Sequence, residues 1–252
     1  MIEEPFASGN SLIHGLDPRL KIISAALFSF VVALSWEFPT LLMALVFSFL
    51  LTGVAKLKVS RVATRLAVVN GLILFFWALV PLTFKGEPLF YLGPLAVARE
   101  GVTLCARITL KSNAILLTVI SLIATMPIAT VGHAMSRLQF PQKIVHLLLL
   151  TYRYIFVIEQ EYRRLARSAK VRAFRPHTNV HTYRTYAYLI GMLFVRASER
   201  AKRVHQAMIC RGFQGKFYCL YDFSMSRLDW AFSMIMAGAV FGLGILEWTK
   251  AV

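Results

Sequence analysis

Apolar residues run in long blocks along this chain, at roughly 20–36, 38–54, 66–83, 101–128 and 228–248. Several hold only about 15–18 uninterrupted apolar residues, somewhat short of the ~20 that cross a bilayer as helix. Flanking residues extend them, and Arg107 and Lys111 are long enough to snorkel out of the fourth. One such block is ambiguous; five in a single chain predict a polytopic, all-α membrane protein with about five transmembrane helices. The stretch between the fourth and fifth blocks has a different pattern. Ile158, Tyr162, Leu165 and Ala169 are spaced four, three and four apart. Leu193, Ala197, Ala201, Val204 and Met208 follow the spacing four, four, three and four. Both are apolar stripes of long amphipathic helices. The expected organisation is therefore 1–128 for the N-terminal transmembrane helices, 129–227 for a membrane-surface helical region and 228–252 for a final span.

Charge orients these elements. Arg19 and Lys21 open the first block, SWEFPT (35–40) carries no lysine or arginine, and AKLKVSRVATR (55–65) carries four. The connection 84–98 carries only Lys85. By the positive-inside rule the N-terminus and the 55–65 loop are cytoplasmic, and the other two loops external. Residues 152–216 hold fourteen Lys/Arg against three acids, Glu159, Glu161 and Glu199, and so supply eleven of the chain's net +16. That places the helical region on the cytoplasmic face of a cell (inner) membrane. Trp230 and Trp248 bracket the last block as interfacial aromatics do.

Composition agrees. Of 252 residues 58% are hydrophobic and 16% charged, whereas soluble domains average about 25% charged. Positive-inside bias accounts for the net charge, so no nucleic-acid partner is expected; the lipid bilayer, with its anionic headgroups, is the bulk partner. Cys105, Cys210 and Cys219 are odd in number and lack metal spacing, which suits packing roles in a reducing, cytoplasm-facing setting. Residues 1–18 carry acids and two prolines without an apolar core, so no cleavable signal is expected there.

The two amphipathic helices end alike. LARSAKVRAF (165–174) and VHQAMICRGF (204–213) align without gaps at an offset of 39, so that Leu165 matches Val204, Ala169 matches Met208, Arg172 matches Arg211 and Phe174 matches Phe213. Each arginine falls three residues after its stripe, on the same face, rather than on the polar back with Arg163, Arg164, Arg167, Arg200, Lys202 and Arg203. Glu159–Arg163 and Glu199–Arg203 are i,i+4 pairs on those backs. An arginine in the last turn complements the helix dipole by about 0.3–1 kcal/mol, and Gly212 is a natural αL stop. A stripe ending in a cation and an aromatic also suits docking into a groove with an acidic floor. Both readings stand at this point.

These residues resemble the transmembrane T component of energy-coupling factor (ECF) transporters, the EcfT/CbiQ family. That family carries Ala-Arg-Gly-type motifs at the ends of two cytoplasmic coupling helices; here they read Val171-Arg172-Ala173 and Cys210-Arg211-Gly212. SLIHGLDPRLKI (11–22), LLLLTYRYIFVIEQEYRRL (147–165) and LFVRASERAKRVHQAMICRGF (193–213) are similar to the cobalt/nickel CbiQ branch, and the resemblance runs from about residue 11 to 248. It implies the non-catalytic coupling subunit of an ATP-driven importer for cobalt or nickel. Its partners would be two ABC-type ATPase subunits, docked on the two helix ends, and a substrate-capturing (S/M-type) membrane subunit. The implied ATPase-coupling residues are Arg172, Ala173, Phe174, Leu165 and Ala169 on the first helix, and Arg211, Gly212, Phe213, Val204 and Met208 on the second. Because Ala173 stands where the family has glycine, the first helix is expected to lack a glycine stop and to run on to Pro176.

Other readings fit less. A T subunit of an ECF vitamin importer shares every feature above except the branch-specific stretches. A secondary carrier needs a midplane ionisable residue or an inverted repeat, and an intramembrane enzyme needs paired acids or a histidine cluster; neither pattern occurs in the five blocks. No G-x-x-x-x-G-K-[ST] occurs, so ATP hydrolysis is expected in partner chains. His177 and His181 lie four apart in HTNVH after Pro176, on an expected loop without a third ligand. No cofactor, metal or catalytic residue is expected.

Overall fold

The structure, a computed structural model, describes residues 6, 9, 11–83, 88–92, 95–215 and 225–251. Its helices are α1 (Pro18–Leu34), α2 (Phe38–Val54), α3 (Val59–Thr83), α4 (Arg99–Leu122), α5 (Ile128–Arg137), α6 (Gln142–Val171), α7 (Val180–Cys210) and α8 (Arg227–Ala251). A two-stranded antiparallel hairpin, β1 (Pro88–Leu92) and β2 (Leu95–Ala98), lies between α3 and α4, with Leu92 opposite Leu95 at its turn. The chain is an all-α membrane protein with one small hairpin. Contacts divide it into two compact units, residues 4–131 with 223–252 and a second built on 132–222.

The first unit contains α1 to α4 and α8, the helices over the five apolar blocks. Those at Val59–Pro81, Arg99–Leu122 and Arg227–Thr249 are long and apolar enough to cross a membrane, and Phe38–Val54 is apolar but shorter. α1 and α2 have 17 residues each, or about 25 Å at 1.5 Å per residue. Their short turn is sharply set: Ser35 and Glu37 are extended, and Pro39 occupies the first turn of α2.

Two expectations need correction. α3 starts at Val59 rather than near 66, so Arg61 and Arg65 lie in its first turns; the hydropathy block marks only its apolar part. It ends at Thr83, where the block ends, with Pro81 in its last turn. Second, α4 stops at Leu122 instead of 128, and a separate ten-residue helix, α5, follows the turn.

α4 is the centre of this unit and packs on α1, α2 and α3. Phe28, Leu41, Ala44, Ala114, Leu122, Met236 and Leu243 form its buried apolar cluster. Between the spans, polar side chains act as glue. Ser48 Oγ reaches Thr118 Oγ1 and donates to the Ala114 carbonyl, both at 3.0 Å, and Asn70 and Asn113 exchange amide hydrogen bonds at 3.1 and 3.0 Å. Gly101 brings α4 against α3: a Cβ there would lie 2.8 Å from the Pro81 Cα and 3.2 Å from the Val80 carbonyl. Both are backbone atoms, so Gly101→Ala is expected to cost about 1–3 kcal/mol as an overpacked contact. The check is the thermal unfolding midpoint in detergent, which an open site would leave unchanged.

The second unit is dominated by α6 and α7, 30 and 31 residues long. Asn179 N-caps α7 by accepting the Thr182 N–H at 2.9 Å. His181 therefore sits on the first turn of α7, not in a loop as its distance from Pro176 suggests.

Candidate functional site: two equivalent helix ends

The ends of α6 and α7 adopt the same backbone geometry. Arg172 is the C-cap of α6, at φ −81° and ψ 22°, and Arg211 the C-cap of α7, at φ −91° and ψ 11°. The next residue in each turns left-handed, Ala173 at φ 60° and Gly212 at φ 77°. Two hydrogen bonds then close each end. Ala173 N–H donates to the Lys170 carbonyl at 3.0 Å and Phe174 N–H to Ala169 at 3.1 Å. Gly212 N–H donates to Ile209 at 2.9 Å and Phe213 N–H to Met208 at 3.0 Å. These are paired 5→2 and 6→1 caps.

The expectation that α6 runs on to Pro176 is thus overturned: it stops where α7 does. Two backbone bonds hold Ala173 in a region that costs an L-residue about 1–2 kcal/mol. Ala173→Gly is expected to stabilise the chain by about 1 kcal/mol, read as a raised unfolding midpoint. A lowered midpoint would show that the Ala173 methyl makes a contact worth more than the strain.

The cap assigns roles within the motif. Ala173 and Gly212 stop the helices, Ala169 and Met208 supply accepting carbonyls, and Phe174 and Phe213 supply donors. The guanidinium groups of Arg172 and Arg211 take no part. Both side chains are exposed and find no hydrogen-bond or ion-pair partner among the described residues.

α6 and α7 run antiparallel, and the offset of 39 that relates their sequences also relates their contacts. The small space where they meet is lined by Val157, Ile158 and Glu161 and by Leu193, Arg196, Ala197 and Arg200. Adding 39 to the first three gives the last three, and Leu193 alone lacks its counterpart in the lining. At one end the Phe213 ring meets His146 at 6.4 Å; at the other Phe174 meets Tyr186 at 5.8 Å, one residue from the counterpart of His146. The helices are thus related by a local pseudo-two-fold about Ile158 and Ala197. Each arginine lies 14 residues beyond that point on its own helix, about 21 Å at 1.5 Å per residue, and the two sit at opposite ends of the pair.

The symmetry is broken in two places. Glu161 pairs with Arg196 across the helices and with Arg164 at 3.7 Å, whereas its counterpart is Arg200. The Arg196 hydrogen bond holds the Glu161 carboxyl below the usual carboxylate range. The two ends also pack differently. At the Arg211 end Val204, Met208 and Phe213, with Leu150, Tyr154 and Ile158 of α6, line an apolar groove of about 510 Å³. At the Arg172 end Leu165 is buried and Ala169 and Phe174 are half-buried. Of the two i,i+4 pairs on the polar backs, Glu159–Arg163 closes at 2.5 Å and Glu199–Arg203 does not form; exposed pairs of this kind contribute only about 0.3–0.5 kcal/mol.

The remaining candidates place simply. Cys105 is buried and Cys210 exposed, both free, while Cys219 lies outside the described residues. No group of three or more metal-binding side chains occurs among the described residues. Sequence reasoning passed over Asp229, which sits at 2% exposure. One of its carboxylate oxygens accepts the Asp17 N–H at 2.8 Å and the other the Ser226 N–H at 2.7 Å. The Ser226–Asp229 spacing is a capping box, a signal visible in the sequence.

Comparison with known proteins decides the family. The model of the CbiQ family, described as a cobalt transport protein, matches residues 9–219. The chain belongs to this family. It is 26% identical to the cobalt transport protein CbiQ of Rhodobacter capsulatus over 68% of this chain and 74% of that one. It is 25% identical to the energy-coupling factor transporter transmembrane protein EcfT of Bacillus subtilis over 85% of each. With EcfT of Streptococcus equi it shares 25% identity over 83% of this chain and 82% of that one. As an EcfT/CbiQ protein it is a membrane component of a transporter and not itself catalytic. The arginine ends of α6 and α7 fall inside the matched region, as do α1 to α5.

Proposed function

We propose that this chain is the coupling (T) subunit of an ECF-type ABC importer for cobalt or nickel ions. Two ATPase subunits dock on the ends of α6 and α7, and their ATP-driven motion passes through these helices to a substrate-capturing membrane subunit. The observation that carries this reading is the pair of idle arginines. Each helix end is fully capped by its backbone, so neither guanidinium is needed for the cap, yet both stand exposed at pseudo-symmetric positions. Two like sites on opposite ends of a two-fold helix pair suit two like partners. In each contact the arginine meets carboxylates of an ATPase groove, with Phe174 or Phe213 as the apolar neighbour.

In this reading the N-terminus, the 55–65 loop and α6–α7 are cytoplasmic, and residues 129–227 form the coupling region. The cobalt or nickel assignment rests on the family's description and on the CbiQ relative. Uptake of labelled cobalt and nickel by the reconstituted complex tests it. Transport of either ion, lost when this chain is omitted, is the expected result. Transport of a vitamin with neither metal would move the chain to the other branch of the family.

A further inference from the structure

A cluster of charges in the transmembrane unit is not used by the proposed coupling. Arg107 and Lys111 stand one turn apart on α4, level with the α1–α2 turn. The Arg107 guanidinium lies over Trp36 and Phe38, 5.8 and 5.2 Å from the ring centroids, and the Lys111 ammonium lies 4.8 Å from that of Trp36. Lys111 Nζ donates to the Ala33 carbonyl at 2.8 Å, and Glu247 of α8 accepts the Trp36 N–H at 2.6 Å. Two polar atoms of this cluster are buried without a partner among the described residues, Arg107 Nε and Glu247 Oε2. No ion pair joins the acid to either cation.

We propose that this cluster binds the headgroup of an anionic phospholipid bearing a hydroxyl, of the phosphatidylglycerol type. An unpaired guanidinium in a membrane span is costly, and so is an unsatisfied buried carboxylate oxygen. Such a headgroup satisfies both: its phosphate accepts from Arg107 and Lys111, and its glycerol hydroxyl donates to Glu247. Two cations and one acid leave the cluster at net +1, which one phosphodiester neutralises. Arginine's planar fork suits phosphate oxygens, and the aromatic rings shield the charges from acyl chains. Depth fits as well. α1 and α2 span about 25 Å against a hydrocarbon core of about 30 Å, so their turn draws the leaflet inward to where Arg107 and Lys111 wait.

The test reconstitutes the full chain in phosphatidylcholine bilayers containing a minor fraction of phosphatidylglycerol. The protein is then extracted in mild detergent, and retained lipid is quantified by mass spectrometry. Wild type is expected to retain phosphatidylglycerol in near-stoichiometric amount and in preference to phosphatidylcholine. The double variant Arg107→Gln, Lys111→Gln should lose about tenfold or more of that retention, while Arg163→Gln, on the polar back of α6, keeps it. Should the double variant not fold, Arg107→Lys keeps the charge, loses the fork and is expected to retain several-fold less. Excess inorganic phosphate should not displace the lipid. Equal retention by wild type and variants overturns the proposal, and displacement by free phosphate overturns the lipid as the source. Loss of a co-purifying membrane subunit with lipid unchanged shows instead that these cations meet a protein.

Discussion

Arg211→Glu is expected to lower metal uptake by the assembled transporter about a hundredfold or more, with the chain still inserted and folded. The guanidinium makes no hydrogen bond or ion pair within the described chain, so its loss costs the fold little beyond the helix-dipole contribution of about 0.3–1 kcal/mol. Its cost falls on the contact with the ATPase. There, removing one partner of a buried, hydrogen-bonded charge pair costs about 2–5 kcal/mol because the other charge is left desolvated, and reversal adds repulsion. At 1.4 kcal/mol per tenfold, even the low end is roughly thirtyfold. Arg172→Glu should act in the same direction. The comparison informs, because the two ends differ in packing: the Arg211 end opens on an apolar groove, whereas Leu165 is buried at the Arg172 end. Wild-type uptake by Arg211→Glu would return that arginine to a dipole-complementing role.

Asp229→Ala is expected to have the largest effect on stability of any single change in the transmembrane unit, about 3–5 kcal/mol. The carboxylate is 2% exposed and serves two chain segments 212 residues apart, through Asp17 N–H and Ser226 N–H. Asp17 in turn caps α1 by accepting the Arg19 N–H at 2.9 Å, so one side chain fixes the starts of both α1 and α8. Lys21 is fully buried beside it, and the charges of Asp229 and Asp17 both act on its ammonium. Alanine leaves the buried Asp17 N–H without its acceptor, uncaps the Ser226 N–H and removes one of the two acids beside the buried Lys21. Thermal unfolding in detergent should drop by on the order of 10 °C. Asp229→Asn keeps one acceptor and should fall between. An unchanged midpoint for alanine would mean that water enters and replaces the carboxylate.

What the sequence disclosed follows from which signals are local. The apolar blocks located the helices of the transmembrane unit, since hydropathy depends on composition alone. They misplaced the start of α3 because Arg61 and Arg65 sit on a helix whose first turns need not be apolar. The hairpin at 88–98 was not foreseen, for its pairing is set by the ends of α3 and α4 that bring the strands together. The offset of 39 disclosed both arginine ends and their equivalence. It suggested a missing stop at Ala173, where the paired backbone bonds overrode the residue's own preference. The pseudo-two-fold could not be read from the offset, because a repeat does not state how its copies meet; the Phe213–His146 and Phe174–Tyr186 contacts are needed for that. Nor does any spacing connect Asp17 to Asp229 or Arg107 to Trp36. Those pairings are products of packing.

The most direct measurement of the central claim is the mass of the complex that this chain pulls from a membrane expressing it with its ATPase subunits. Native mass spectrometry of the wild-type complex should show two ATPase chains per copy. The double variant Arg172→Glu, Arg211→Glu should show none, while its unfolding midpoint in detergent matches wild type. Two ATPase chains retained by that double variant would contradict the account, since the idle arginines would then hold no partner.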